Sequence, residues 1–298
     1  MEKSSIKQQL SDFLEENGYS INRVARQIGK RGYSAAVISQ YLRDKYSGDV
    51  KTLEAEIESF LRREEEKKER GRREIPFVET LAARKIFSAL RLAHLEGEIV
   101  IIYGRAGLGK TTALKRYAEE YHDAILIEAD LSYTTKSLLG KIASRFGSEE
   151  YGSVNYLFNY CVEKLRDTGR IIIVDEAEHL PVRGLDLLRR LNDLAGVGIA
   201  LAGLPRLLYN LKGKRGENAY LYSRVGAAVN IEELYPDDVK SIVKEYYPNS
   251  NGIWEEFYAQ CDGNARKLSK LLYRADSISK GKEPSKREVK SASRMLQF

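Results

Sequence analysis

Features that define several classes of protein are scarce in this chain of 298 residues. It contains only two cysteines and three histidines. Cys161 and Cys261 are too far apart to match a metal-ligand spacing, so we interpret both as reduced packing residues. The small number of histidines also argues against a histidine-based metal site.

Long hydrophobic runs are missing as well. No apolar stretch approaches the roughly 20 residues that cross a bilayer. The N-terminus, which begins Met1-Glu2-Lys3, lacks the apolar segment of a signal peptide. We therefore expect a cytoplasmic protein with no membrane partner. Hydrophobic residues still make up 43% of the chain, which is enough for a sizeable core and excludes a wholly disordered protein.

The charge balance is mildly basic, with a formal net charge of +6 at pH 7. A basic balance favours polyanionic partners such as nucleic acid. It does not establish them, since many basic proteins bind no nucleic acid.

Composition and hydrophobic periodicity divide the chain into four parts. Near the N-terminus, apolar residues recur at helical spacing, and Ser20, Ser34 and Asp49 are candidate helix caps. A stretch of interleaved positive and negative charges follows, which is typical of a solvated helix end or linker. The predicted parts are a helical domain at residues 1–61, a charged linker at 62–75, an α/β core at 76–235 and a second helical region at 236–298.

The α/β core is predicted from short apolar runs that alternate with helical stretches. Runs rich in Ile, Val, Leu and Ala, separated by helices, indicate a parallel sheet buried on both faces. In the last helical region, Ser285 and Glu288 have the spacing of a capping box. The predicted strands are Ile99–Tyr103, Ala124–Glu128, 171–174 and 198–202.

A phosphate-binding loop is the strongest motif in the chain. Residues 104–111 satisfy the pattern G-x-x-x-x-G-K-[ST], and they follow a predicted strand and precede a predicted helix. Lys110 would reach the β- and γ-phosphates of ATP, and Thr111 would bind Mg²⁺. The alternative is a glycine loop that matches by chance. The predicted nucleotide-binding residues of the loop are Gly104, Arg105, Ala106, Gly107, Leu108, Gly109, Lys110, Thr111 and Thr112.

Two acidic residues at the end of a buried strand supply the second half of an ATPase site. Asp175 and Glu176 follow the apolar run 171–174. Asp175 would hold Mg²⁺, and Glu176 would polarise the attacking water. A strand end also carries acids for solubility alone, but the phosphate loop that precedes it favours the catalytic interpretation.

An Asp-Glu strand end followed by a helical region resembles the AAA+ branch of the P-loop ATPases. The resemblance implies that 236–298 is a helical lid. It also implies that Arg224 reaches the nucleotide of a neighbouring subunit, with Arg215 as the rival, and that Arg266 senses nucleotide in its own subunit. Each of these arginines could instead be an ordinary surface charge. Leu204 departs from the AAA+ pattern, because related proteins have a polar residue there, and this suggests slow hydrolysis.

The N-terminal part resembles a helix-turn-helix of the phage-repressor type, with an unusually long turn at 29–33. A helix-turn-helix joined by a charged linker to a small AAA+ ATPase is similar to the transposition regulators of the phage Mu B type, whose relatives include IstB and TnsC. Segments 41–50 and 76–80 are similar to that family too. In a helix-turn-helix, Ser39, Gln40 and Arg43 would face the DNA major groove. The alternative is a helical protein-docking module.

The family resemblance implies a function on DNA in a bacterial or phage-infected cytoplasm. The protein would assemble with ATP into oligomers or helical filaments on double-stranded DNA and would recruit and stimulate a transposase. ATP hydrolysis would then disassemble the filament. Alternatives are a helicase-loader-type replication ATPase and a nucleotide-gated adaptor that does not bind DNA. The residues that would face the DNA in the ATPase core are Thr134, Thr135, Lys136 and Lys141.

Overall fold

The computed structural model describes residues 5–17, 19–28, 33–69, 73–148, 152–213 and 215–296. The chain divides into two compact units, Met1–Glu74 and Ile75–Phe298. Most of the predicted turn at 29–33 lies outside the described residues.

The first unit consists of helices that begin at polar caps. The Ser34 hydroxyl accepts a hydrogen bond from the Val37 amide, and the Asp49 carboxylate accepts one from the Thr52 amide over 3.1 Å. Both contacts satisfy amide groups that have no partner within their helix. The helices are α1 (Ile6–Asn17), α2 (Ile21–Gln27), α3 (Ala35–Leu42) and α4 (Val50–Glu69).

The helices described in the first unit enclose one apolar core. Helix α4 runs into the predicted linker as far as Glu69. Two tyrosines tie α4 to the rest of the unit, because Tyr33 donates to Glu56 over 2.6 Å and Tyr41 donates to Glu54 over 2.8 Å. The buried core residues are Leu10, Val24, Ala25, Ile28, Ile38, Tyr41, Leu53, Ile57 and Phe60.

A five-stranded parallel sheet forms the centre of the second unit, in the order β2-β3-β4-β1-β5. The four predicted strands are present, and β3 and β4 each extend one residue further than predicted. The edge strand β5 was not among the predicted strands. The strands are β1 (Ile99–Tyr103), β2 (Ala124–Glu128), β3 (Ile171–Asp175), β4 (Gly198–Gly203) and β5 (Val225–Asn230).

Helices cover both faces of this sheet, which is why its central strands are apolar up to their carboxyl ends. Alternate residues point to opposite faces, so Ile101 packs on one face and Ile102 on the other. Helices α5 and α6 cover the face of Ile102, and α7, α8 and α9 cover the face of Ile101. The helices are α5 (Leu81–Glu96), α6 (Lys110–Glu120), α7 (Thr135–Ser144), α8 (Val154–Leu165), α9 (Val182–Ala195), α10 (Arg206–Lys212) and α11 (Ala219–Tyr222).

The C-terminal part of the second unit is a helical subdomain with its own apolar core. The predicted capping box is present, since Ser285 and Glu288 satisfy each other's amide groups at the start of the last helix. Among the helices of the described residues, none is long and apolar enough to span a membrane. The helices of this lid are α12 (Pro236–Tyr246), α13 (Trp254–Cys261), α14 (Ala265–Ile278) and α15 (Lys286–Arg294).

Candidate nucleotide site

The glycine-rich loop lies where a parallel sheet collects its functional residues, at the carboxyl ends of the strands. Strand β1 ends at Tyr103, and α6 begins at Lys110. Gly107 and Gly109 have φ angles of +81° and +86°, in a region that L side chains rarely adopt. Glycine at both positions therefore lets the loop adopt this tightly curved conformation. In it, the loop amides and the N-terminus of α6 are available to bind an anion.

Lys110 is the buried cation of this loop, with 8% of the residue exposed. Its Nζ donates to the carbonyl oxygens of Gly104 over 2.7 Å and Arg105 over 2.8 Å. Burial lowers the pKa of Lys110 below its ordinary value, while the negative charges of Asp175 and Glu178 act in the opposite direction. A buried ammonium group held in position by two carbonyl oxygens can bind the oxygen atoms of a polyanion.

Thr111 and Asp175 are brought together by the packing of α6 against β3. The Thr111 hydroxyl donates to a carboxylate oxygen of Asp175 over 2.6 Å, and Asp175 is buried. These hard oxygen atoms fit Mg²⁺, which binds few protein ligands and completes its shell with phosphates and water. Within the described parts of the chain, no three His, Cys, Asp or Glu side chains form a metal site by themselves.

Glu176 stands at the point where the chain leaves β3. It has a φ of +53°, which is uncommon for a residue other than glycine, and its amide donates to Asp175 over 2.9 Å. Its side chain is exposed and lines the same cavity as Lys110 and Thr111. Held this way, the carboxylate could accept a proton from a water molecule in the cavity.

The lid contacts the phosphate loop directly through the start of α14. Asn264 caps that helix by accepting from the Lys267 amide over 3.0 Å, and its side-chain amide donates to the Ala106 carbonyl over 3.0 Å. The Arg266 amide donates to the Gly107 carbonyl, also over 3.0 Å. The exposed Arg266 side chain lines the same cavity as Asp175.

Two adjoining cavities flank the loop. One, of about 410 Å³, is lined by Lys110, Thr111, Asp175, Glu176 and Arg266, so it is polar and charged. The other, of about 300 Å³, is mostly apolar and lies between the segment 75–78 and the lid. Their arrangement suits a molecule with a polyanionic end and a flat apolar end. The apolar lining includes Phe77, Val78, Leu234, Leu268 and Tyr273.

Three residues that the sequence analysis did not assign form a cluster beside Glu176. His179 lies 3.7 Å from the Glu176 carboxylate, and the Arg206 guanidinium lies 3.2 Å from His179. Arg206 is also 3.7 Å from one carboxylate oxygen of the buried Glu178. Glu178 and His179 follow the Asp175-Glu176 pair closely in sequence, and that proximity was the only available signal.

Arg224 lies at the amino end of the parallel strands, whereas the phosphate loop lies at their carboxyl end. It precedes β5, whose first residue pairs with Ile99, at the start of β1, whereas the loop follows Tyr103. Four steps of about 3.3 Å separate those two levels, or about 13 Å. Arg224 is exposed and 3.9 Å from Asp193. Its rival, Arg215, is exposed in the loop after α10. Arg224 therefore lies away from the phosphate loop of its own chain, and its action on a neighbouring subunit stays a prediction.

The residues predicted to face DNA belong to both units of the chain. In the second unit, Thr134 caps α7, and Thr134, Lys136 and Lys141 are exposed, with Thr135 half-buried. In the first unit, Gln40 is exposed on α3, Arg43 is exposed at the C-cap of that helix, and Ser39 is half-buried.

Comparison with known proteins agrees with this geometry. A family model described as an AAA domain matches residues 94–211. The fold is similar to that of the ORC2 protein of Aeropyrum pernix, with a TM-score of 0.57 and 17% identity over 76% of this chain and 71% of that one. It is also similar to Thermotoga maritima RuvB, with a TM-score of 0.51 and 17% identity over 72% and 68% of the two chains. The protein therefore has the fold of an AAA+ P-loop ATPase.

Two curated relatives narrow this class to one family. The Mu-like prophage FluMu DNA transposition protein B of Haemophilus influenzae is 31% identical over 252 residues, or 82% of this chain and 84% of that protein. The ATP-dependent target DNA activator B of Escherichia phage Mu is 27% identical over 292 residues, or 95% and 91% of the two chains. The chain belongs to the family of Mu-like phage DNA transposition protein B.

Proposed function

We propose that this protein binds double-stranded DNA in an ATP-dependent manner, assembles on it as oligomers or filaments, and recruits and stimulates a transposase. Hydrolysis of ATP would control disassembly. The similarity to transposition protein B over most of the chain carries this proposal, because it accompanies a complete set of phosphate-site residues. The names of the relatives specify ATP and target DNA, and the charged and apolar cavities suit the two ends of ATP.

The charged and hydroxyl side chains predicted to bind nucleotide in the polar cavity each have a role in the proposed reaction. The loop amides and Lys110 bind the phosphates, and Thr111 and Asp175 hold Mg²⁺, which supplies charge neutralisation when it is bound. Glu176 accepts a proton from water as the water oxygen bonds to the γ-phosphorus and the bond to the bridging oxygen of the β-phosphate breaks. ADP and phosphate are the products. Arg266 contacts the phosphates from the lid.

The position of Arg224 supports self-association. Arg224 lies at the amino end of the strands, away from its own phosphate loop. It would complete a nucleotide site only where this end of one copy packs against the nucleotide bound by a second copy. It would then stabilise the charge that develops on the γ-phosphate. Arg215, which is exposed in the loop after α10, is the rival for this role.

DNA would be bound mainly through its backbone. Thr134 and Lys136 are exposed at the start of α7, and hydroxyl and ammonium groups there suit phosphate oxygens. Such contacts carry no sequence information, which is what a protein that marks arbitrary target DNA requires. In the first unit, Ser39, Gln40 and Arg43 would contribute a second contact if α2 and α3 act as a helix-turn-helix.

Sedimentation and negative-stain microscopy with random-sequence duplex DNA test the proposal. We expect large assemblies with DNA and a slowly hydrolysed ATP analogue, and none with the Lys110→Ala variant. Discrete particles whose size is independent of DNA would contradict it and favour a nucleotide-gated adaptor. A preference for single strands, with binding to a replicative helicase, would favour the helicase-loader alternative.

A further inference from the structure

One buried carboxylate contacts both the ATPase core and the lid. Asp238 lies in the first turn of α12, and only 7% of the residue is exposed. Its Oδ1 atom accepts a hydrogen bond from the Leu81 amide over 2.8 Å, and its Oδ2 atom accepts one from the Tyr235 amide over 3.1 Å. Leu81 belongs to the core, whereas Tyr235 is the N-cap of the first lid helix. The two oxygens therefore bind different parts of the second unit.

Both of these amides lie at the start of a helix, where the helix itself supplies no acceptor. Leu81 is the first residue of α5, and Tyr235 immediately precedes α12. A carboxylate between two helix N-termini is also favoured by the positive end of each helix dipole. The contact is therefore stronger than one between neutral groups.

The bond to Leu81 fixes the segment that leads into α5. The Thr80 amide donates to the Val78 carbonyl over 2.8 Å, and the Thr80 hydroxyl accepts from the Ala83 amide over 3.1 Å. The segment is thus bonded at successive residues up to the helix, and Asp238 attaches its end to the lid.

Two walls of the apolar cavity meet through this contact. Residues 75–78 and Thr80 form one wall, and the lid supplies Ile242 from α12 and Tyr273 from α14. Asp238 is on the same helix as Ile242, so a displacement of α12 from α5 changes the spacing between the walls. The phosphate loop has a separate connection to the lid, through the start of α14.

We propose that Asp238 is a positioning residue that sets the apolar cavity to the size of the flat base of the nucleotide. It acts through α12 and the segment 75–80, which enclose the base from two sides. Binding of the phosphates is independent of it, because Lys110 and the loop amides bind them. This inference rests on the proposed binding of ATP.

Displacement of a fluorescent ADP analogue by ADP and by pyrophosphate tests the role, because the two competitors share the phosphates and differ in the base and sugar. In Asp238→Ala we expect ADP to bind about tenfold more weakly, since two charge-assisted hydrogen bonds are lost. The affinity for pyrophosphate should change by less than about twofold, because the phosphate loop is intact. Asp238→Asn keeps the size of the side chain and one accepting oxygen, so it should weaken ADP binding by about threefold.

Leu81→Pro removes the other partner of the bond to the core and leaves the carboxylate in place. Proline has no amide hydrogen, and the first position of a helix accepts it. Thr80, the residue before it, has a φ of −66° and a ψ of 165°, the extended conformation that a residue before proline adopts. Leu81→Pro should reproduce the selective loss of ADP affinity, and Leu81→Ala, which keeps the amide, should not.

Glu288→Ala is the matched control for the loss of a helix-capping carboxylate in the lid. Glu288 accepts from the Ser285 amide over 2.7 Å at the start of α15, and no described residue of α15 lines the apolar cavity. This variant should bind ADP and pyrophosphate as the native protein does.

Native ADP affinity in both Asp238→Ala and Leu81→Pro would overturn the inference. So would an equal loss of ADP and pyrophosphate affinity, or the same loss of ADP affinity in Glu288→Ala. If Asp238→Ala does not fold, Asp238→Asn and Leu81→Pro decide between these results. A native protein that binds neither ADP nor pyrophosphate would instead refute the proposed function.

Discussion

The Asn264 side chain both caps α14 and contacts the phosphate loop, and substitutions should separate the effects of the two contacts. Its Oδ1 caps α14, and its Nδ2 bridges to the carbonyl of Ala106 in the phosphate loop. Losing an N-cap costs about 1 kcal/mol, and losing a neutral hydrogen bond costs about 1 kcal/mol more. Asn264→Ala removes both, so we expect it to lower the free energy of unfolding by about 2 kcal/mol. For a unit of this size, that corresponds to a fall in Tm of about 4–8 °C.

The matched variant is Asn264→Ser. Serine caps helices about as well as asparagine but is too short to reach Ala106, so only the bridge is lost. Thermal unfolding should show Asn264→Ser about 1 kcal/mol more stable than Asn264→Ala. Both should bind ATP about fivefold more weakly than the native protein, because the lid no longer holds the loop. If Asn264→Ser binds ATP normally while Asn264→Ala does not, the bridge is not what couples the lid to the nucleotide.

Three further predictions follow from the same contacts. Arg224→Ala should retain ATP binding but lose DNA-stimulated hydrolysis, and mixing it with Glu176→Gln should recover some activity; no recovery would contradict action between subunits. Lys136→Ala should weaken binding to all duplex sequences and reduce the slope of log affinity against log salt by about 1; an unchanged slope would remove α7 from the interface. The hydrogen bond to Glu56 raises the pKa of Tyr33 to about 12. Since the ordinary value is about 10, this stabilising contribution is complete below pH 10 and is lost as pH rises through 12. Circular dichroism should show a shallower loss of stability over that range in Tyr33→Phe, and an equal loss would contradict the assignment.

The nucleotide loop could be predicted because its information is local. The glycines, Lys110 and Thr111 are adjacent in sequence, and strand and helix signals flank them. The same holds for Asp175, which ends a continuous apolar run. The structure and the AAA domain match confirm the predicted strand and helix that carry these residues. The individual roles of the residues in binding and catalysis stay predictions.

Other parts depend on contacts that sequence spacing does not show. Strand β5 has the sequence Val-Gly-Ala-Ala-Val-Asn and half of its residues are exposed, so its apolar signal is weak. It forms because β1 offers a free edge for pairing. Asn264 lies in a segment that resembles a lid motif, but its bridge to Ala106 appears only when α14 packs beside the loop.

The state of the two cysteines could be predicted from their number and spacing alone. Cys161 and Cys261 are both free and buried, as expected for packing residues. Burial raises the pKa of Cys161 to about 12 and raises that of Cys261 as well. Both thiols therefore stay neutral near pH 7 and are poor nucleophiles.

The central claim is that the nucleotide bound by Lys110, Thr111 and Asp175 controls the affinity of the protein for DNA. Its most direct test is fluorescence anisotropy of a labelled random duplex with ATP, with ADP and without nucleotide, for the native protein and Glu176→Gln. We predict tight binding with ATP only, release as ATP is consumed, and persistent binding in Glu176→Gln because hydrolysis is blocked. Equal binding under all three conditions, or equally fast release from Glu176→Gln in ATP, would contradict the account.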